Sequence, residues 1–441
     1  MTGLNSRNAI DGPGMIGWLV VSVILLWGAT PASSAVQEMG VLTADDVDVP
    51  TGLGWSLAID ENLILAGAPA DDADFPFGGS VFVFDVLTGQ IKHKLSPSQP
   101  SLQGFFGVSV AIKGSTAVIG APVQEGTPYS PFVDVYDPGS AYVFNVMTGE
   151  ELFRLTPDDS AGLDHFGTRV AVSGNLAVIT AYGDSHAGNN AGSAYVFDIT
   201  TGRQIRKITA SDASEGDSFG GSLAVDGNLA LVGAGGNKID GEYYGAAYLF
   251  DITTGEQLHK LISPDSQRLD YFARSVAISD GLALVGAPEW DQFGNDSQGG
   301  FVDVFDIETG QWLRRLRQED PEDFASFGYA MSLEGDLAII GAYSKSGEGG
   351  RRGAVYFFDI NTGEQLDKIT GPYFGEIDSF GHAVARDGDI TVVGAYKGIG
   401  SNLLAGNVHV YRDIPEPASV TVSVFGAGVL TGGGRHFRRP L

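Results

Sequence analysis

Residues Phe219–Leu261 read FGGSLAVDGNLALVGAGGNKIDGEYYGAAYLFDITTGEQLHKL. Four short apolar runs lie inside this stretch. The first two, Gly221–Val225 and Leu229–Gly233, flank Asp226-Gly227-Asn228, a tight turn in which Gly and Asn accept positive φ. After a polar loop, Ala246–Phe250 and Gln257–Leu261 flank Thr253-Thr254-Gly255. We label these runs strands a, b, c and d. Strands b and c are apolar on both faces, so their sheet needs cover on both sides, as radially packed four-stranded blades provide. Strand d alternates and carries Lys260, as an exposed outer edge does.

The stretch is one copy of a repeat. Units begin at Leu53-Gly54, Phe106-Gly107, Phe166-Gly167, Phe219-Gly220, Phe272-Ala273, Phe327-Gly328 and Phe380-Gly381, with the second residues stepping by 53, 60, 53, 53, 55 and 53. A period near fifty marks blades or solenoid turns. The last unit has strands a to c, ending at Val408-His409-Val410-Tyr411, but no strand d. Elsewhere the last apolar residue of strand d precedes the next Phe by eleven, as Leu95 precedes Phe106 and Leu261 precedes Phe272; Leu42 stands eleven before Leu53. Glu38–Leu42 therefore supplies the missing strand. The expected fold is all-β, a seven-bladed propeller of four-stranded antiparallel blades over 36–413, closed by an N-terminal strand. A linear solenoid would want polar caps instead.

The chain has 441 residues, Asp+Glu 54 against Lys+Arg 26, and a formal charge of −28. That balance argues against nucleic acid and anionic lipid surfaces as partners, and tolerates cations, basic partners or neutral sugars. Hydrophobic residues make up 43%, enough for a large core, and Gly 63 suits many tight turns. With Cys 0, disulfides, thiolate metal sites and Cys nucleophiles are excluded.

The two ends read as addresses. Met15–Val21 runs on to Leu25-Leu26-Trp27, and Ser33 and Ala35 fit a cleavage site, so 1–35 is expected to be a signal peptide. At the other end, Pro415-Glu416-Pro417 precedes an apolar, Gly-rich stretch and then Arg435, His436, Arg438 and Arg439. A stiff hinge, a short membrane-compatible segment and a basic stop follow the positive-inside rule. This order over 414–441 resembles PEP-CTERM sorting tails, although Thr421, Ser423 and Thr431 weaken the apolar part. The resemblance implies processing by exosortase-type machinery at the envelope of a Gram-negative-type bacterium. Membrane contact is then expected only through the terminal segments.

Strand b ends in Gly67-Ala68-Pro69, Gly120-Ala121-Pro122 and Gly286-Ala287-Pro288, with degenerate forms at Thr180-Ala181-Tyr182, Gly233-Ala234-Gly235, Gly341-Ala342-Tyr343 and Gly394-Ala395-Tyr396. Together with the Phe-Gly starts, these resemble FG-GAP repeats, the repeat of integrin-α-type propellers. Many such domains cage calcium in an Asp-x-Asp-x-Asp-Gly loop. Here turns such as Ser173-Gly174-Asn175 are too short, so neither a metal nor another cofactor is expected.

Function is expected on one rim. The b–c connections carry all the length variation. Pro69 to Gly79 spans ten, Pro122 to Gly139 seventeen and Pro288 to Gly300 twelve. Variable loops on a rigid scaffold are where binding is usually carried. The longest offers Tyr129, Phe132 and Tyr136 beside Asp134 and Asp137; unit five offers Trp290 and Asp291. Exposed aromatics near acids suit stacking on a sugar ring or gripping a peptide. The Asp two before Phe (Asp164, Asp217) reads as a local turn bond. The histidines, His165 and His382 included, show no metal-ligand spacing and read as packing or surface residues. No Gly-x-Ser-x-Gly or P-loop text appears. The expected function is a non-catalytic, exported binding module for an extracellular polysaccharide or an envelope protein, with no nucleic acid partner. The alternative is a secreted polysaccharide-acting enzyme, a lyase or hydrolase, on the same scaffold.

Overall fold

The computed structural model describes residues 36–44, 51–71, 77–100, 103–122, 137–239, 241–264, 271–288, 299–322, 324–347, 350–372, 377–396 and 405–413. Among these residues every regular element is a strand and none is a helix. The main strands are grouped into five four-stranded sheets and one nine-stranded sheet. Each four-stranded sheet is an antiparallel meander in sequence order. In the fourth unit the strands are Phe219–Asp226, Leu229–Ala234, Ala246–Asp251 and Gln257–Leu261. These all-β meanders fit a propeller.

Two features differ from the expected separate blades. The sixth and seventh units share the nine-stranded sheet. Their strands Gly350–Asp359 and Ile377–Asp387 are unusually long, and run parallel where Arg351 meets Ile377 and Gly353 meets Phe380. The b–c connection of the fourth unit also forms its own small hairpin, Lys238–Ile239 with Glu242–Tyr243. At the N-terminal end, Val36–Leu42 pairs antiparallel with Asn407–Asp413, two residues longer than the sequence pattern indicates.

The core lies between successive sheets. The Phe that opens each unit is the wedge. Phe219 is fully buried and meets Tyr248 and Phe250 edge-on at centroid distances of 5.7 Å each. Such pairs add about 1 kcal/mol to the burial of each ring. Apolar residues of neighbouring units interdigitate at each interface. Leu231, Leu249 and Leu261 pack on Val276, Val285 and Phe305. Ile64, Phe82 and Phe84 of the first unit pack in the same way on Ile390, Val392 and Val410 of the last.

A glycine sets how closely the sheets approach. Gly79 and Gly139, just before strand c, bridge in parallel to Phe106 and Phe166 of the next unit, and Gly406 bridges to Leu53. All three have positive φ, and an added Cβ would collide with the facing Phe or Leu carbonyl. No other residue type meets both demands.

Polar straps cross the same interfaces. Asp212, in the connection into the fourth unit, accepts from Tyr248 Oη at 2.9 Å and Lys260 Nζ at 2.6 Å. Asp320 does the same for Tyr356 and Lys368. In the third unit Lys207 bonds Asp159 at 2.7 Å and Asp184 at 2.8 Å, and Tyr195 donates to Asp184. Asp184 is nearly buried, which alone would raise its pKa; hydrogen bonds from Lys207, His186 and Tyr195 outweigh that and hold it at about 2.

Candidate functional site

A cavity of about 780 Å³ is lined by the first strand of every unit. Strand a contributes the consecutive residues at its start, beginning about two after the opening Phe or Leu. The second position after Phe reads Trp55, Val108, Thr168, Gly221, Arg274, Tyr329 and His382 in successive units. Pro122, Tyr182, Gly235, Gly236 and Tyr243 complete the wall. They come from the end of strand b and the b–c connections, so the cavity lies on the b–c side.

One wall is aromatic. His382 sits 4.8 Å from the Trp55 ring, 4.5 Å from Tyr396, 5.1 Å from Tyr329 and 5.7 Å from Tyr343, and its Nδ1 lies 3.2 Å from Trp55 O. Tyr329 and Tyr343 meet edge-on at 4.6 Å. Further round, His165 stacks flat on Tyr182 at 4.8 Å. His382 is thus a packed residue as expected, but it packs at a cavity.

The other wall is cationic. The Arg274 guanidinium lies 5.3 Å over the Tyr329 ring. Arg169 donates to Thr168 O at 3.0 Å. Burial lowers its pKa to about 10, and the Arg274 charge pushes in the same direction, against the opposing influence of Tyr329 and Tyr182. Burial likewise raises Tyr182, opposed by Arg169. Among the described lining residues there is no Asp or Glu. No described group of His, Asp and Glu is placed to hold a metal ion.

Arg169 stands where four other units place a serine. Ser56, Ser222 and Ser275 each donate from Oγ to a carbonyl of the next unit, at Gly107 (2.7 Å), Ala273 (2.8 Å) and Gly328. Ser109 accepts instead from Val170 N. In the third unit the facing residue on strand b is Thr180 in place of a glycine. Its Oγ1 donates to Gly220 O at 2.8 Å and accepts from Arg169 N at 3.1 Å. The hydroxyl latch has moved from strand a to strand b, and the strand-a position is released to carry an arginine.

The FG-GAP repeat matches residues 36–84, 92–144, 150–197, 203–250, 256–305 and 313–358. The chain belongs to the FG-GAP repeat family. Each matched FG-GAP segment starts within one residue of the beginning of the outer strand of one unit and ends on strand c of the next, the first running from Val36. The family suggests a β-propeller interaction domain of extracellular type. No helix among the described residues is long and apolar enough to cross a membrane. Among curated proteins, none matches the chain.

The residues expected to bind (Tyr129, Phe132, Asp134, Tyr136, Trp290 and Asp291) lie outside the described residues, as do the terminal segments 1–35 and 414–441. The segment carrying the first four departs from Pro122, a lining residue. Asp164 and Asp217 make the local turn bonds expected of them, accepting from Ala161 N at 2.7 Å and Ser214 N at 2.8 Å. The sequence reading missed the cavity. Its signal was present as departures from the FG-GAP text: Arg for Ser at 169, Thr for Gly at 180, and Tyr for Pro at 182, 343 and 396. Those departures give the lining Arg169 and Tyr182, and give the ring cluster around His382 its Tyr343 and Tyr396.

Proposed function

We propose that this FG-GAP chain is an exported, non-catalytic binding propeller of seven blades. Val36–Leu42 acts as the outer strand of the last blade and closes the ring. The pairing of that strand with Asn407–Asp413, the bridge from Gly406 to Leu53, and the packing of the first unit on the last support closure. The observation that carries the functional reading is the cavity on the b–c side, walled by rings and guanidinium groups. Its volume falls within the roughly 300–1,000 Å³ range of small-ligand sites. A carboxylate or imidazole poised for proton transfer would favour the enzyme reading. Here His382 is packed among four rings and burial raises the Tyr182 pKa, which suits holding a ligand better than turning it over.

The ligand in this reading is an extracellular polysaccharide or an envelope protein, engaged by the cavity mouth together with Tyr129, Phe132, Asp134, Tyr136, Trp290 and Asp291 of the b–c connections. The signal-like N-terminus and the Pro415-Glu416-Pro417 tail support export, sorting by exosortase-type machinery and residence at the envelope of a Gram-negative-type bacterium. The test is a pull-down from extracellular matrix and envelope fractions. Alanine at Tyr129, Phe132 and Trp290 is expected to reduce retention. Unchanged retention removes the loops from the site. Shortening of the polysaccharide during incubation would replace binding by the enzyme reading.

A further inference from the structure

Several described cations of this acidic chain have an acid beside them. Lys94 pairs with Asp71, Lys113 with Asp60, Arg315 with Asp303 and Arg386 with Asp413. Arg169 and Arg274 have no ion-pair partner among the described residues. The Arg274 charge acts on Arg169 inside a cavity with no described acidic lining. Holding two like charges in a walled pit costs free energy that the Tyr329 ring and the Thr168 carbonyl offset without supplying a counter-charge.

We propose that the cavity binds the acidic sugar of an anionic glycan, with Arg169 and Arg274 on its carboxylate or sulfate oxygens and the rings around His382 against its apolar face. The proposal rests on the binding-module reading and names the ligand class of that site.

Three observations converge on it. The planar guanidinium fork matches a carboxylate or sulfate two bonds at a time, and two such groups share this cavity. Neither arginine is required by the scaffold. The Thr180 latch does the work of the serine that Arg169 replaces, and Val108, Thr168 or Gly221 serve in other units at the position of Arg274. The lining supplies Trp55, Tyr329 and His382, rings clustered with Tyr343 and Tyr396, of the kind that the C–H face of a pyranose packs on. A lone inorganic anion would use the arginines and leave the rings idle.

The test is titration calorimetry on the full chain with an oligogalacturonate, a sulfated oligosaccharide, a neutral oligosaccharide of equal length, free sulfate and an oligoglutamate peptide. At least one acidic sugar is expected to bind at least about tenfold more tightly than the neutral one, as charge-assisted bonds imply, and to weaken as salt rises. Arg169→Ser with Thr180→Gly returns the third unit to the text of the first; Arg274→Thr borrows the residue of the third. Both are expected to keep the melting temperature and to lose about tenfold or more in affinity for the acidic sugar. Equal binding of neutral and acidic sugars, or unchanged affinity in both variants, overturns the proposal. So does binding of free sulfate as tight as that of the sugars, or equal binding of oligoglutamate, which would point to an acidic peptide. If acidic sugars fail while matrix or envelope components are still captured, the binding module stands and this ligand class falls. If nothing is captured, both fall.

Discussion

The first and third units solve one problem in two ways. In the first, Ser56 on strand a faces Gly67 on strand b, and the serine hydroxyl reaches Gly107 O of the next unit. In the third, Arg169 faces Thr180, and the hydroxyl that reaches Gly220 O comes from strand b. The inter-unit bond survives with its donor on the opposite strand. A repeat can thus give up its consensus side chain at the cavity wall without giving up the interface behind it. That is how a stack of near-identical sheets acquires a site that is not itself repeated.

The comparison can be broken most severely by copying half of it. Gly67→Thr in the first unit places a Cβ against both Gly107 O and Ser56 Oγ. With the serine still present, the expected cost is about 3 kcal/mol, as for an overpacked core. A loss below about 1 kcal/mol in urea unfolding would show that the interface yields easily, which close packing does not allow.

The next effect is a pH dependence carried by Asp184 in the third unit. Asp71 and Asp184 stand four after Gly67 and Thr180, and each meets a strand-d lysine. The folded pKa of Asp184 is about 2, below the ordinary aspartate value of 3.8. Its stabilisation is therefore complete above about pH 4 to 5 and is lost as pH falls through 2. Nearly two units correspond to about 2 kcal/mol. Asp184→Asn should flatten the acid limb of stability across that window; an unchanged limb would mean the carboxylate is not held by Lys207, His186 and Tyr195.

The smallest effect sharpens the comparison. Thr180→Gly alone removes the latch and is expected to cost about 1 kcal/mol. Adding Arg169→Ser should recover most of it, because the introduced serine takes the role that Ser56 has in the first unit. A double-mutant cycle reads this coupling directly. Strict additivity would mean that the introduced hydroxyl does not reach Gly220 O.

Much of the scaffold was legible because it follows from local rules repeated many times. The Asp226-Gly227-Asn228 turn, the two-faced apolar strands and the spacing of Leu42 to Leu53 each state a backbone demand that side-chain identity cannot hide. The parallel joint between Arg351 and Ile377 was not legible, since it arises from strand length rather than residue pattern. The cavity was hidden for a different reason. It draws only a short segment from each unit, so the segments stand some fifty residues apart and share no single local signature. Departures such as Tyr343 and Tyr396 read as decay of the Gly-Ala-Pro text, and the charge of −28 pointed to cations, basic partners or neutral sugars as tolerated ligands. Net charge describes the outer surface, however, and the two arginines lie inside.

One consequence follows from the pairing of Val36–Leu42 with Asn407–Asp413. Val36 lies opposite Asp413, so the chain enters and leaves the fold at the same end of one antiparallel ladder. Tension applied between those two points loads the ladder like a zipper, one pair after another, and not as a row of bonds in shear. A tether on one end alone leaves this seam unloaded. For a molecule held at a surface, it therefore matters mechanically whether one end or both are fixed.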